Sequence, residues 1–149
     1  LEDARKMAML FYRTPQSFAK KFNYEKEKGT GQFKVESWLT HHGKTITKRF
    51  RLQAYRMVNH LLSTINITEG KHSFIESVQQ LKSTIIQIGI DTDLFFVAQD
   101  NIDTKDLLDK AGIPNEYHEI KSIHGHDAFL IEHDQLTQIL KPIFNNKTS

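Results

Sequence analysis

From Leu1 to about Asn66 the apolar positions recur at helical spacing and no strand pattern appears. Met7, Leu10 and Phe11 fall on one face of a first helix. "YRTPQSFAKKF" then predicts a break and a restart: Thr14 stands at an N-cap position, Pro15 suits a first helical turn, and Phe18 and Phe22 lie four apart on one face. The glycines of "YEKEKGTGQF" mark an exposed, charged loop. "FKVESWLTHHG" fits helix and strand alike, with Gly43 as its stop. "RLQAYRMVNHLLSTINI" has the clearest periodicity and places Leu52, Tyr55, Val58, Leu62 and Ile65 on one face. The spacing predicts a small helical bundle for this half.

After "TEGKHS" the pattern changes. "STIIQIGI" is short, β-branched and apolar on both faces, the composition of a buried parallel strand. Asp100 to Ala111 reads as a helix closed by Gly112, "NEYHEI" as a second strand, and Ala128 to Ile143 as a final helix with Phe129, Leu136, Leu140 and Ile143 along one side. Strand, helix, strand, helix is a pair of βα units, which requires a parallel sheet. A strand apolar on both faces needs neighbours at its edges as well as cover above and below. The expected fold class is therefore α/β: the chain forms the C-terminal part of a larger sheet, with helical residues 1–70 set over it and residues 71–149 within the sheet domain.

Composition narrows the function classes. A chain of 149 residues with 38% hydrophobic and 26% charged positions can bury a core as a soluble globular protein. Its apolar runs are too short to span a bilayer, and a cytosolic home is the default. A net charge of +2 with scattered lysines gives no case for nucleic acid, and the absence of cysteine excludes disulfides, a thiol nucleophile and thiolate metal sites. "LEDARKMAML" has neither an initiator Met nor a signal-peptide pattern and already reads as helix, so the chain is expected to begin in mid-protein.

The candidate chemistry lies at the carboxyl ends of the two strands, where open α/β sheets place their sites. "GIDTD" sets Asp91 and Asp93 beyond the first strand, and "HGH" sets His124 and His126 beyond the second. Neighbouring loops on one rim can bring an aspartate and a histidine together; the carboxylate then fixes the imidazole tautomer and stabilises the imidazolium. That is the base half of a nucleophilic machine. The chain has no G-x-S-x-G elbow, so the nucleophile is expected upstream of Leu1. A metal pair at His124 and His126 would need two further ligands, which the distant His133 and the adjacent His41 and His42 do not supply; no metal is expected. Asp127 suits the cap of the final helix.

In these motifs the chain resembles the C-terminal portion of the homoserine O-acetyltransferases, α/β-hydrolase-fold enzymes of methionine biosynthesis whose catalytic domain carries a helical lid. "ARKMAMLFYRTPQSF" is similar to the family's first lid helix, "FKVESWLTHHGKTITKRFRLQAYRMVNHLL" to its lid, "IGIDTD" to its acid loop and "GHDAFLIE" to its histidine loop. The last of these is the most specific. A proline often follows the family's acid loop, where this chain has Phe96 and Val97. The resemblance implies Asp93 as triad acid, His126 as base and Asp127 as a contact for the amino group of homoserine, with Asp91 a structural loop residue and His124 shaping the loop. It implies a ping-pong transfer from acetyl-CoA, an acyl-donor substrate rather than a resident cofactor, to L-homoserine. It also implies a lid that keeps water out and a homodimer through the lid helices. Tyr12 and Arg13 are expected to pack and cap rather than act directly, and Trp38 and Tyr55 to fill a bundle core or subunit interface. The alternatives are a succinyl-CoA-dependent transferase or related hydrolase-fold acyltransferase or esterase and, from another class, a non-catalytic binding fragment. The 149 residues alone, lacking a nucleophile, are expected to be inactive and to self-associate through the open sheet edge.

Overall fold

The computed structural model describes residues 1–145. Helices α1 (Glu2–Phe11), α2 (Pro15–Phe22), α3 (Lys34–Arg49), α4 (Leu52–Thr64) and α5 (Phe74–Val78) precede strand β1 (Ile85–Ile90). Helix α6 (Ala98–Lys110), strand β2 (Asn115–Ile120), a 3₁₀ segment (Gly125–Leu130) and helix α7 (His133–Asn145) complete the order.

The α1–α2 break follows from local chemistry. Thr14 is extended and its Oγ1 accepts from Ser17 N at 3.1 Å, Pro15 opens the helix where no N–H is needed, and the left-handed Asn23 (φ 42°) closes it. Gly43 is not a stop. Helix α3 runs through it to Arg49, because α1 lies across α3 at that point and a Cβ on Gly43 would stand 3.1 Å from both Glu2 O and Lys6 Cε. The glycine is a notch for close helix approach. The same crossing turns the Glu2–Lys6–Met9 face of α1 inward: Met9 is 3% exposed, whereas Met7, Leu10 and Phe11, the expected face, are 46–58% exposed. In α4 the predicted stripe forms but buries nothing within the chain; Leu52, Val58, Leu62 and Ile65 all lie open. The bundle proper is therefore α1, α2 and α3.

Strands β1 and β2 pair in parallel, in register from Ile85 opposite Asn115 to Ile90 opposite Ile120, with α6 as the connection. Leu108 of α6 packs with Val78 and Ile113, while Ile90 and Ile120 pack with Ala128 and, from α7, Leu136 and Ile139. Only Gly89 and Ile90 of β1 are fully buried; Ile85 to Ile88 are half-covered, since among the described residues neither strand has a neighbour on its outer edge. Gly89 makes room for Tyr117, whose hydroxyl would lie 2.7 Å from a Cβ there. Burial and the bond it donates to Glu119 push the Tyr117 hydroxyl up to about 12.

Gly112 (φ +68°) follows the end of α6 at Lys110. The expected final helix from Ala128 is divided. Ile131 N and Glu132 N both donate to Ala128 O, at 2.9 and 2.7 Å, which tightens the chain into a 3₁₀ turn before α7 starts afresh at His133. Phe129 thus leaves the Leu136–Leu140–Ile143 stripe and joins the loop. No helix among the described residues is long and apolar enough to cross a membrane.

Two adjacent leucines test this core. Leu108 is 1% exposed and Leu107 38%. Leu108→Ala is expected to cost about 2–5 kcal/mol in urea unfolding, and Leu107→Ala about 1 kcal/mol or less.

Candidate active site

Beyond β1 the chain turns back on itself, with Asp93 N donating to Ile90 O at 3.1 Å. The Asp93 side chain is buried. Its Oδ1 accepts from Phe95 N (2.7 Å) and Phe96 N (2.9 Å), an Asx turn that fixes the carboxylate and leaves Oδ2 facing His126 Nδ1 at 2.8 Å. A carboxylate only accepts, so Nδ1 carries a proton, and in the neutral imidazole Nε2 presents its lone pair. Nε2 has no hydrogen-bond partner among the described residues. The imidazole is ringed by Tyr12 (5.1 Å between centroids), Phe96 (5.3 Å), Phe95 (5.5 Å) and Phe129 (5.7 Å). A cleft bordered by Asp93, Phe96, His126, Phe129 and Leu136 opens beside it.

The acid and histidine loops are stitched together by the residues between them. Asp91 Oδ1 accepts from Ser122 N at 3.0 Å, and Thr92 Oγ1 donates to Ser122 O at 2.6 Å while accepting from Gly125 N at 3.1 Å. Asp91 thus serves the loop frame and does not reach the imidazole.

The α1–α2 turn closes the other side. Asp127 N donates to Tyr12 O at 3.1 Å, Thr14 Oγ1 donates to Ile123 O, and Ser17 Oγ meets His124 Nδ1 at 2.8 Å. Gly125 (φ +64°) lies so close that a Cβ would sit 3.1 Å from Tyr12 O and 3.3 Å from Arg13 Cα. The two histidines of "HGH" therefore diverge, His126 to Asp93 and His124 to Ser17. Burial above all, then the charges of Lys20 and Arg13, lower the His124 pKa from its ordinary value. Among the described residues no three His, Asp or Glu side chains gather to hold a metal.

Asp127 does not cap the final helix, which begins six residues later at His133. It sits in the 3₁₀ segment with Oδ2 accepting from Arg13 Nε at 2.9 Å, both side chains 13% exposed. Tyr12, expected to pack, packs against His126, and Arg13, expected to cap, pairs instead with Asp127, a partner that spacing along a helix cannot show because it lies 114 residues away. Trp38 does sit in the bundle, against Phe18, Phe22 and His42, while Tyr55 lies half-buried on α4.

No protein-family model matches the chain. The homoserine O-acetyltransferase of Cyclobacterium marinum is 33% identical over 144 residues, covering 97% of this chain and 40% of that protein. That of Thermus thermophilus is 35% identical over 138 residues (92% and 33%), and that of Haemophilus influenzae 31% over 146 residues (95% and 40%). Over nearly its whole length the chain is similar to homoserine O-acetyltransferases. It spans about two fifths or less of the length of these relatives. The aligned stretch with the Cyclobacterium enzyme takes in the α1–α2 turn, the Asp93 loop and the His126 loop together. The crystal structure of homoserine O-acetyltransferase from Bacillus anthracis superposes with a TM-score of 0.76 over 92% of this chain and 39% of that one, at 20% identity, so the helices and small parallel sheet share its fold.

Two measurements test the site's construction. Gly125→Ala forces a left-handed alanine against Tyr12 O, at a cost of about 1–2 kcal/mol for the backbone alone; reduced urea stability is expected together with a shifted low-field His126 Nδ1–H signal. For His124 the folded pKa lies below the ordinary 6.5, so the unfolded chain takes the proton first. Stability is expected to fall as pH drops below about 6.5 and through the folded value, and His124→Gln should remove that residue's share of the slope in unfolding measured from pH 8 to 5.

Proposed function

We propose that this chain supplies the acid–base pair and the acceptor contact of a homoserine O-acetyltransferase, which moves an acetyl group from acetyl-CoA to the hydroxyl of L-homoserine. The observation that carries the reading is the Asp93–His126 hydrogen bond with Nε2 left open, in a chain similar to these enzymes over nearly its whole length.

In this reading a serine from outside the 149 residues stands at Nε2. His126 takes the serine proton as Oγ attacks the thioester carbonyl, then gives it to the departing CoA sulfur, leaving an acetyl-serine. Homoserine's hydroxyl next gives its proton to Nε2 and attacks the acetyl ester, and the serine recovers the proton as it leaves. Asp93 stabilises the imidazolium in both halves without taking the proton itself. Asp127, one residue beyond the base, receives the ammonium end of homoserine. Residues 1–70 act as the helical lid over the α/β-hydrolase sheet domain of residues 71–149, whose two βα units carry the acid and base. The lid keeps water from the acetyl-enzyme, which it would otherwise hydrolyse. The open apolar face of α4 supports a homodimer through the lid helices. The setting is cytoplasmic and the acyl donor comes and goes as substrate, with no resident cofactor, nucleic acid or membrane involved. The 149 residues alone, without a serine, form no acyl-enzyme.

Free CoA thiol release by the complete protein, with acetyl-CoA and with or without L-homoserine, tests the reading. Release should require homoserine and fall by roughly 10,000-fold in His126→Ala and in Asp93→Asn. Homoserine-independent release would instead identify a hydrolase.

A further inference from the structure

Arg13 is restrained on three sides. Its Nε donates to Asp127 Oδ2 at 2.9 Å, its Nη1 donates to Ser17 Oγ at 3.3 Å, and its guanidinium carbon stands 5.7 Å from the centre of the Trp38 ring. Ser17 is fully buried and already engaged by His124, so one end of this fork is anchored in the loop frame. Only a planar, multiply donating group can span Ser17 and Asp127 while lying over an aromatic face; a lysine brings one point charge on a flexible stem. Asp127 is left with one oxygen fixed and the other, Oδ1, without a hydrogen bond among the described residues. That free oxygen belongs to the residue next to His126.

We propose that Arg13 is a positioning residue for the acceptor substrate: by holding Oδ2 it presents Asp127 Oδ1 as a single oriented acceptor for the ammonium group of an amino-acid acceptor. The inference rests on the acyltransferase reading and extends it to a residue on the α1–α2 turn. It has an unusual sign. Coulomb's law alone makes a cation beside an ammonium site a repulsive neighbour, so removing Arg13 would tighten acceptor binding. Positioning requires the reverse, because a carboxylate free to rotate loses the prepaid orientation that its bond to the guanidinium supplies.

The experiment is steady-state kinetics on the complete protein with acetyl-CoA and varied L-homoserine, for the wild type, Arg13→Met, Arg13→Lys, Asp127→Asn and the Arg13→Met/Asp127→Asn double variant. Arg13→Met is expected to raise KM for homoserine by about 10-fold or more, with kcat within about threefold of wild type. Arg13→Lys, which keeps the charge without the fork and is the gentler test of folding, should shift KM in the same direction. Once Asp127 is Asn, removing Arg13 should add less than about twofold. A lower or unchanged KM, a loss confined to kcat, or full multiplication of the two single effects overturns the proposal while leaving the acyltransferase reading in place. A wild type that releases no CoA in response to homoserine overturns both.

Discussion

The approach of the α1–α2 turn to the loop after β2 is the contact on which the site depends. At Gly125 two backbones come within the reach of a single Cβ, and around that point Tyr12 O, Thr14 Oγ1 and Ser17 Oγ bond to Asp127 N, Ile123 O and His124 Nδ1. Such a junction tolerates neither a side chain at Gly125 nor a different turn at Thr14–Pro15. It also explains why a helical segment and a strand–helix–strand segment, which look independent in sequence, are one mechanical unit where it matters. The base is carried on the sheet side of the junction, and its closest aromatic neighbour, Tyr12, comes from the helical side.

Hydrogen bonds are divided among the polar groups so that each carboxylate has a distinct environment. Asp91 is taken up by Ser122 N, Asp93 is split between the backbone of its own loop and the imidazole, and Asp127 is shared with a guanidinium. None of the three competes for another's partner. The aromatic rings around His126 reduce access of water to the pair and so strengthen the one polar contact they enclose. The frame is thus built from bonds to backbone, which do not wander, and the functional atoms are those left over.

Two surfaces have the opposite character. The apolar stripe of α4 and the outer edges of β1 and β2 carry the features of buried structure, yet lie open within these residues. The chain spans two fifths or less of the length of the relatives it matches.

Local rules were legible wherever the cause is local. The cap at Thr14, Pro15 at the first turn, Gly112 beyond the end of α6, the two strands and the placement of Asp93 and His126 on adjoining loops all follow from turn chemistry, period and the geometry of strand ends. The misreadings have two causes. Gly43 as a stop and Met7, Leu10 and Phe11 as the packed face of α1 were overruled by a neighbour far away in sequence, the crossing of α1 and α3, whereas the continuous helix from Ala128 was broken by two N–H groups sharing Ala128 O. A glycine that ends a helix and a glycine that admits another helix are the same letter. By itself the sequence determined most of the elements and which side chains could do chemistry, because propensity, capping and period act within a few residues. Only the tertiary structure decided which carboxylate meets the imidazole, where Asp127 turns and that Arg13 reaches it, because those choices depend on backbones brought together across 33 residues in the first case and 114 in the last.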